Sequence, residues 1–136
     1  MSASKKILQA NTNLLAAVEQ NNLEATKDFI NAGADTLDIA LQHASRKGYL
    51  EIVKYLVENG ANIHAMDDYA LKYASYNGHL EFVKYLVEHG GNIYAYDDYA
   101  LIMASENGHF EIVKYLITKG ANTDVLTKEQ LIKLIK

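Results

Sequence analysis

The stretch from Ala61 to Gly90, ANIHAMDDYALKYASYNGHLEFVKYLVEHG, is followed at once by Gly91 to Gly120, GNIYAYDDYALIMASENGHFEIVKYLITKG. About two thirds of the aligned positions are identical at a strict period of about thirty, which marks a repeat array. A unit this short cannot bury its own apolar face, so copies must stack. Stacking leaves an elongated surface in place of an enclosed catalytic pocket.

Two weaker copies come first. LDIALQHASRKGYLEIVKYLVENG ends at Gly60, NLLAAVEQNNLEATKDFINAG ends at Gly33, and both keep the same apolar positions. After Gly120 the segment ANTDVLTKEQLIKLIK opens another unit, with Leu131 aligned on Leu71 and Leu101. The expected organisation is one domain over residues 1–136: a leader at 1–12 that partly extends the first helix, a cap repeat at 13–33, repeats at 34–60, 61–90 and 91–120, and a C-terminal half repeat at 121–136.

Within a unit, Ala70, Leu71, Tyr73 and Ala74 fall at helical spacing and define helix one. Its start is expected at Asp67, whose carboxylate would accept the free N–H groups of the first turn, with Asp68 favourable at the positive end of the helix dipole. Asp97 and Asp98 repeat that pattern. In the last unit Thr127 and Gln130 read as a capping box. Gly48, Gly78, Gly108 and Asn21 are the residues that tolerate the left-handed end of helix one. Helix two then carries an apolar stripe of Leu80, Val83, Leu86 and Val87, with Glu81 and Lys84 three apart on its outer side, and stops at Gly90. Asn62, Asn92 and Asn122 are expected to tie adjacent units through their side-chain amides.

NGHLEFVKYLVEHGGN and NGHFEIVKYLITKGAN resemble the second helix and exit turn of ankyrin repeats, and the resemblance spans about Asn13 to Lys136. It implies an all-α solenoid of stacked antiparallel helix pairs. Two departures stand out. The Thr-Pro-Leu-His opening of that family is here YALK at Tyr69 to Lys72 and YALI at Tyr99 to Ile102, with no proline in the chain. The loop from Gly60 to Leu71 is also short for the family, and that from Gly33 to Leu41 shorter again. Shortened loops are therefore expected in place of full β-hairpin fingers. Period thirty with DDYALxxASxNGH is similar to the ankyrin arrays of giant amoebal DNA viruses. That narrower similarity implies a viral protein acting in the cytoplasm of a host cell.

Composition limits the function classes. A net charge of −4 disfavours a nucleic-acid partner, because duplex binding depends on Lys and Arg neutralising phosphates. Charged residues interrupt every apolar run well short of a bilayer span, and no signal-peptide core is present. The absence of cysteine removes thiolate chemistry and disulfides, in keeping with an intracellular setting.

Catalytic readings are weak. His79 and His109 stand one repeat apart in NGH and read as part of the turn into helix two, and no HExxH or Cys/His ligand spacing occurs. The Asp pairs read as caps more simply than as general acids or bases, and Gly90-Gly91 lacks the Lys-Ser or Lys-Thr of a phosphate loop. Neither enzyme activity, cofactor nor metal is expected.

Positions that recur serve the framework: Leu41, Leu71, Leu101 and Leu131 with Ala44, Ala74 and Ala104 in helix one, and Val53, Val83 and Val113 with Leu56, Leu86 and Leu116 in helix two. Tyr55, Tyr85 and Tyr115 are expected to form a packing ridge with hydroxyls in water. Positions that vary between units are the candidate partner contacts: His64 and Tyr94, Met66 and Tyr96, His43, Tyr73 and Met103, and Arg46, Tyr76 and Glu106. In an ankyrin stack these would lie on the concave face, and Tyr, Met and Arg are enriched at interface cores. The expected function is a monomeric module binding a protein partner. The alternative is a scaffold that self-associates end to end, should Ile132 of the last helix be exposed.

Overall fold

In a computed structural model that describes residues 2–135, the chain forms two compact units that divide between Asn62 and Ile63. The first holds α1 (Ala3–Glu19), α2 (Leu23–Asn31), α3 (Leu37–Lys47) and α4 (Leu50–Glu58). The second holds α5 (Ala65–Asn77), α6 (Leu80–Glu88), α7 (Ala95–Glu106), α8 (Phe110–Thr118) and α9 (Lys128–Leu134). The described residues contain no strand, and no helix among them is long and apolar enough to cross a membrane. Met1 and Lys136, the end residues of the expected domain, lie outside the described residues.

Packing follows the repeat. In the first unit α1 packs on α2 and on α3, α3 on α4, and α2 on α4; in the second, α5 packs on α6 and α7, α6 on α8, and α7 on α8. Like stacks on like, so each helix pair lends its neighbour the apolar cover it lacks. The leader is part of α1, whose first turn is capped by the Ser2 hydroxyl accepting from the Lys5 N–H at 3.2 Å.

The turn between the helices of a pair needs a left-handed residue. Gly78 has φ +82°, and a Cβ there would also meet the His109 ring at 2.7 Å. His109 is held by a hydrogen bond from Nε2 to the Tyr76 carbonyl at 2.9 Å. The NGH motif thus fixes one turn and ties it to the next. Helix two ends through a Schellman-type bond, seen as Gly91 N–H to Leu86 C=O at 2.8 Å and Ala61 N–H to Leu56 C=O at 2.9 Å. The expected capping box is formed: the Gln130 N–H donates to the Thr127 hydroxyl at 3.1 Å, and the Thr127 N–H to the Gln130 side chain at 2.8 Å.

The apolar face of helix two is wider than its sequence stripe. Ile52, Phe82 and Ile112 are buried beside Val53, Val83 and Val113, whereas Leu80 is half-buried. In the second unit α6 lies against both α5 and α8, so two neighbouring faces are covered at once. The expected core role of Leu131 is corrected. Leu131 is 38% and Ile135 84% exposed, while Leu126 is buried. In complete pairs the aligned leucine is covered by its own helix two, and no such helix accompanies α9 among the described residues.

A second correction concerns the start of helix one. Met66, Asp67 and Asp68 take φ of 52°, 54° and 57°, and Tyr96, Asp97 and Asp98 take 54°, 55° and 60°. Each triplet is one left-handed turn, closed by Asp68 N–H to His64 C=O and by Asp98 N–H to Tyr94 C=O, both 3.2 Å. The regular helix follows it. No side chain caps α5 or α7 in the expected way. Asp68 is instead buried, and its Oδ2 accepts the Asn92 N–H at 2.6 Å. In the first unit Asp38 Oδ1 accepts the Asn62 N–H at 2.7 Å, and Asn11 Oδ1 accepts the Asp35 N–H at 2.7 Å. These bonds, each 24 residues apart in sequence, tie the loop leaving a pair to the helix that opens it. Their carrier is the backbone N–H of Asn62 and Asn92. The Asn92 and Asn122 side chains turn inward on their own loops, accepting from Tyr94 N–H at 2.9 Å and Asp124 N–H at 3.0 Å.

Leu86 is 1% exposed, so Leu86→Ala is expected to cost about 2–5 kcal/mol in urea unfolding by leaving a cavity. Leu131→Ala is expected to cost less than about 1 kcal/mol, as a surface change. Equal losses for the two would contradict this core.

Candidate functional site: a tyrosine groove

The second unit carries an open groove of about 550 Å³ lined by Met66, Asp67, Tyr69, Lys72, Tyr73, Tyr96 and Tyr99. Its wall follows from local geometry. Tyr69, Lys72, Tyr73 and Tyr76 stand at i, i+3, i+4 and i+7 along α5, so they share one face, and α7 packed alongside adds Tyr99. The left-handed turns bring in the rest: Met66 and Tyr96 project from them, 66% and 64% exposed.

The rings form a continuous series. Centroids lie 4.4 Å apart for Tyr69 and Tyr73, 6.4 Å for Tyr73 and Tyr99, and 5.8 Å for Tyr96 and Tyr99, the last pair edge to face. Tyr76 adjoins Tyr73 at 6.1 Å. Such tilted contacts suit the quadrupoles of the rings. The Lys72 ammonium sits 4.4 Å from the centre of Tyr96 and 5.9 Å from that of Tyr99, a cation–π contact. Burial holds the Tyr99 hydroxyl above its ordinary pKa, and the neighbouring Tyr73, Tyr76, Tyr96 and Glu106 push in the same direction.

The residues expected to contact a partner are not all alike in this arrangement. Met66, Tyr73 and Tyr96 line the groove, and Tyr76 borders its ring series. Met103 is half-buried on α7, and Glu106 is exposed near Tyr99. His64 and Tyr94 are exposed but hydrogen-bonded to neighbouring parts of the chain. His64 Nδ1 donates to Asp68 Oδ1 at 2.9 Å, and the Tyr94 hydroxyl donates to the Gly120 carbonyl at 2.8 Å. With Tyr in place of His, the Asp98 Oδ1 is buried without a hydrogen-bond partner among the described residues. In the first unit His43 hydrogen-bonds Glu19, and Arg46 is exposed in the last turn of α3.

Tyr69, Lys72 and Tyr99 were not among the expected contacts, because two of them recur between units and so read as framework. The signal that marks Tyr69 and Lys72 is the Tyr-Lys-Tyr-Tyr stripe at helical spacing in YALKYASY.

The ridge of helix two is also corrected. The Tyr85 and Tyr115 hydroxyls are buried instead of lying in water. Lysines cover the ridge: Lys27 lies 5.5 Å from the centre of Tyr55, and Lys84 and Lys119 lie 6.0 and 5.6 Å from that of Tyr115. Burial, then the Glu88 carboxylate, raises the Tyr115 pKa. His79 and His109 stand at the starts of α6 and α8, and no group of three or more His, Asp or Glu among the described residues is placed to hold a metal ion.

Helix pairs stacked like on like, with an aromatic groove along helix one, define a helical-repeat protein. A family model of ankyrin repeats in three copies matches residues 3–67 and again 60–128. The chain belongs to the ankyrin-repeat family. No individual curated protein matches it.

A tyrosine whose pKa is raised in the folded state contributes no loss while both states are neutral, below the unfolded value of 10.0. Stability is lost as pH climbs from there through the raised folded value, because the folded state resists the charge. Tyr99 and Tyr115 are therefore expected to contribute to a late phase of an ultraviolet tyrosinate titration, and Tyr99→Phe/Tyr115→Phe to diminish that phase. A titration unchanged by the double substitution would contradict the placement of these hydroxyls.

Proposed function

We propose that this chain is a non-catalytic module that binds a protein partner through the tyrosine groove and the unit-specific residues around it. Ankyrin repeats are generally protein–protein interaction modules, and the family is typically non-enzymatic. The observation that carries the reading here is the set of large side chains left at the surface of one groove: Met66, Tyr76 and Tyr96 are 66%, 40% and 64% exposed. Aromatic and Met side chains gathered in this way supply contact area at little cost in entropy. His64, Tyr94, Met103 and Glu106 extend the proposed contact set beyond the groove, and His43 and Arg46 are proposed contacts of the first unit. A viral origin, and with it a partner in the cytoplasm of a host cell, is part of the proposal.

A second reading rests on α9, where Ile132 is 51% and Ile135 84% exposed. These side chains favour self-association through the last helix. A concentration-dependent mass in sedimentation would support it.

Affinity capture from an amoebal lysate separates the two readings, using the intact chain and a folded Tyr73→Ala/Tyr96→Ala/Met103→Ala control. A protein held by the first bait and lost from the second is expected. Identical captures would overturn the groove as the contact site.

A further inference from the structure

We infer that the groove of the second unit receives an arginine side chain from a basic segment of the partner, which displaces Lys72 from the tyrosine rings. The inference rests on the protein-binding reading and names the chemistry of what is bound.

The first support is the occupant already present. Lys72 lies on the faces of Tyr96 and Tyr99 and makes no ion pair among the described residues, although Asp67 lines the same groove. A cation is thus stabilised there by ring faces alone. An arginine guanidinium is flatter and less strongly hydrated than an ammonium, so it stacks better between rings and releases Lys72 to solvent.

Charge is the second. Residues 62–77 and 92–107, which hold α5, α7 and their entry loops, carry Asp67, Asp68, Asp97, Asp98 and Glu106 against Lys72 as their one Lys or Arg. Helix two is more nearly balanced, with Lys84 paired to Glu81 at 3.8 Å and Lys114 to Glu111 at 3.4 Å. The groove-side segments therefore carry the unit's excess of negative charge. A basic segment is steered to it, while an acidic one meets repulsion.

Backbone conformation is the third. Met66 and Tyr96 keep large side chains at φ of 52° and 54°, where glycine would sit without steric cost. Strain of this kind, retained at exposed positions of one groove, accords with a binding role for the side chains it presents.

The test is fluorescence anisotropy of the full chain with a labelled glycine-serine peptide carrying two arginines. Counterpart peptides carry citrulline, glutamate or a proline-rich sequence. The arginine peptide is expected to bind and the citrulline peptide, equal in shape but neutral, to bind at least about tenfold more weakly. Lys72→Met removes the competing cation and is expected to tighten arginine binding by about two- to fivefold, the worth of an exposed cation–π contact. Tyr96→Leu is expected to weaken it by at least as much. Should Tyr96→Leu fail to fold, Lys72→Met and the citrulline comparison carry the test alone. Equal binding of arginine and citrulline peptides, preference for the glutamate or proline-rich peptide, or weaker arginine binding by Lys72→Met would overturn the inference. Failure of the arginine peptide while the intact chain still captures a partner lost from the triple-alanine control would overturn it and leave the protein-binding reading standing.

Discussion

A carboxylate at the start of helix one that accepts a backbone N–H from the exit loop closes two of the helix pairs. Asp38 and Asp68 stand where helix one begins and accept from Asn62 and Asn92, in the loops that leave helix two. A hydrogen bond to a charged group contributes on the order of 1.5–3 kcal/mol. More important is where it acts. The loop after the exit glycine would otherwise be free to swing, and with it the entry of the chain into whatever follows. The bond fixes that direction with one short side chain, in place of the longer hairpin loop that the family usually carries.

At Asp68 this bond goes with a left-handed turn, whereas Asp38 makes it without one. Asp68 places its carboxylate in the interior from a backbone that winds left-handed from Met66 to Asp68. That conformation costs roughly 1–2 kcal/mol for an ordinary residue, and it repeats in the next unit at Tyr96 to Asp98. Asp and Asn accept it more readily than most residues, which suits the Asp pairs to the turn. Met66 and Tyr96 do not share that tolerance. Their side chains form the open end of the groove, so the element that closes the pair also shapes the surface a partner would meet. Structure and function meet in one three-residue turn.

Much of the fold was legible because the chain states it repeatedly. Glycine at the end of α2 through α8, the Thr127 capping box and the alternation of helix one with helix two are local matters, readable from neighbouring residues. What escaped was set by distance. An Asp-Asp pair before an apolar helical pattern looks like a cap until the Asn92 N–H, far along the chain, is found to claim the carboxylate. Phe82 lay outside the stripe although it is buried on a helix that packs against both α5 and α8, and Leu131 looked buried because its counterparts are. At the site, comparing units picked out Met66, Tyr73 and Tyr96 because they differ between copies. Tyr69 and Tyr99 escaped because they recur, yet a residue that recurs can still line a groove; Lys72 aligns with Ile102 and varies like the chosen positions.

Amide hydrogen exchange at Asn92, in the wild-type chain and in Asp68→Ala, tests the closing bond most directly. Asn92 is in an exposed loop, where an amide open to water exchanges fast, yet the account predicts slow exchange in the wild type. Asp68→Ala should release Asn92 to the fast rate while Asn62, held by Asp38, keeps its protection. Fast exchange at Asn92 in the wild-type chain, or protection that survives Asp68→Ala, would contradict the claim that this carboxylate closes the pair.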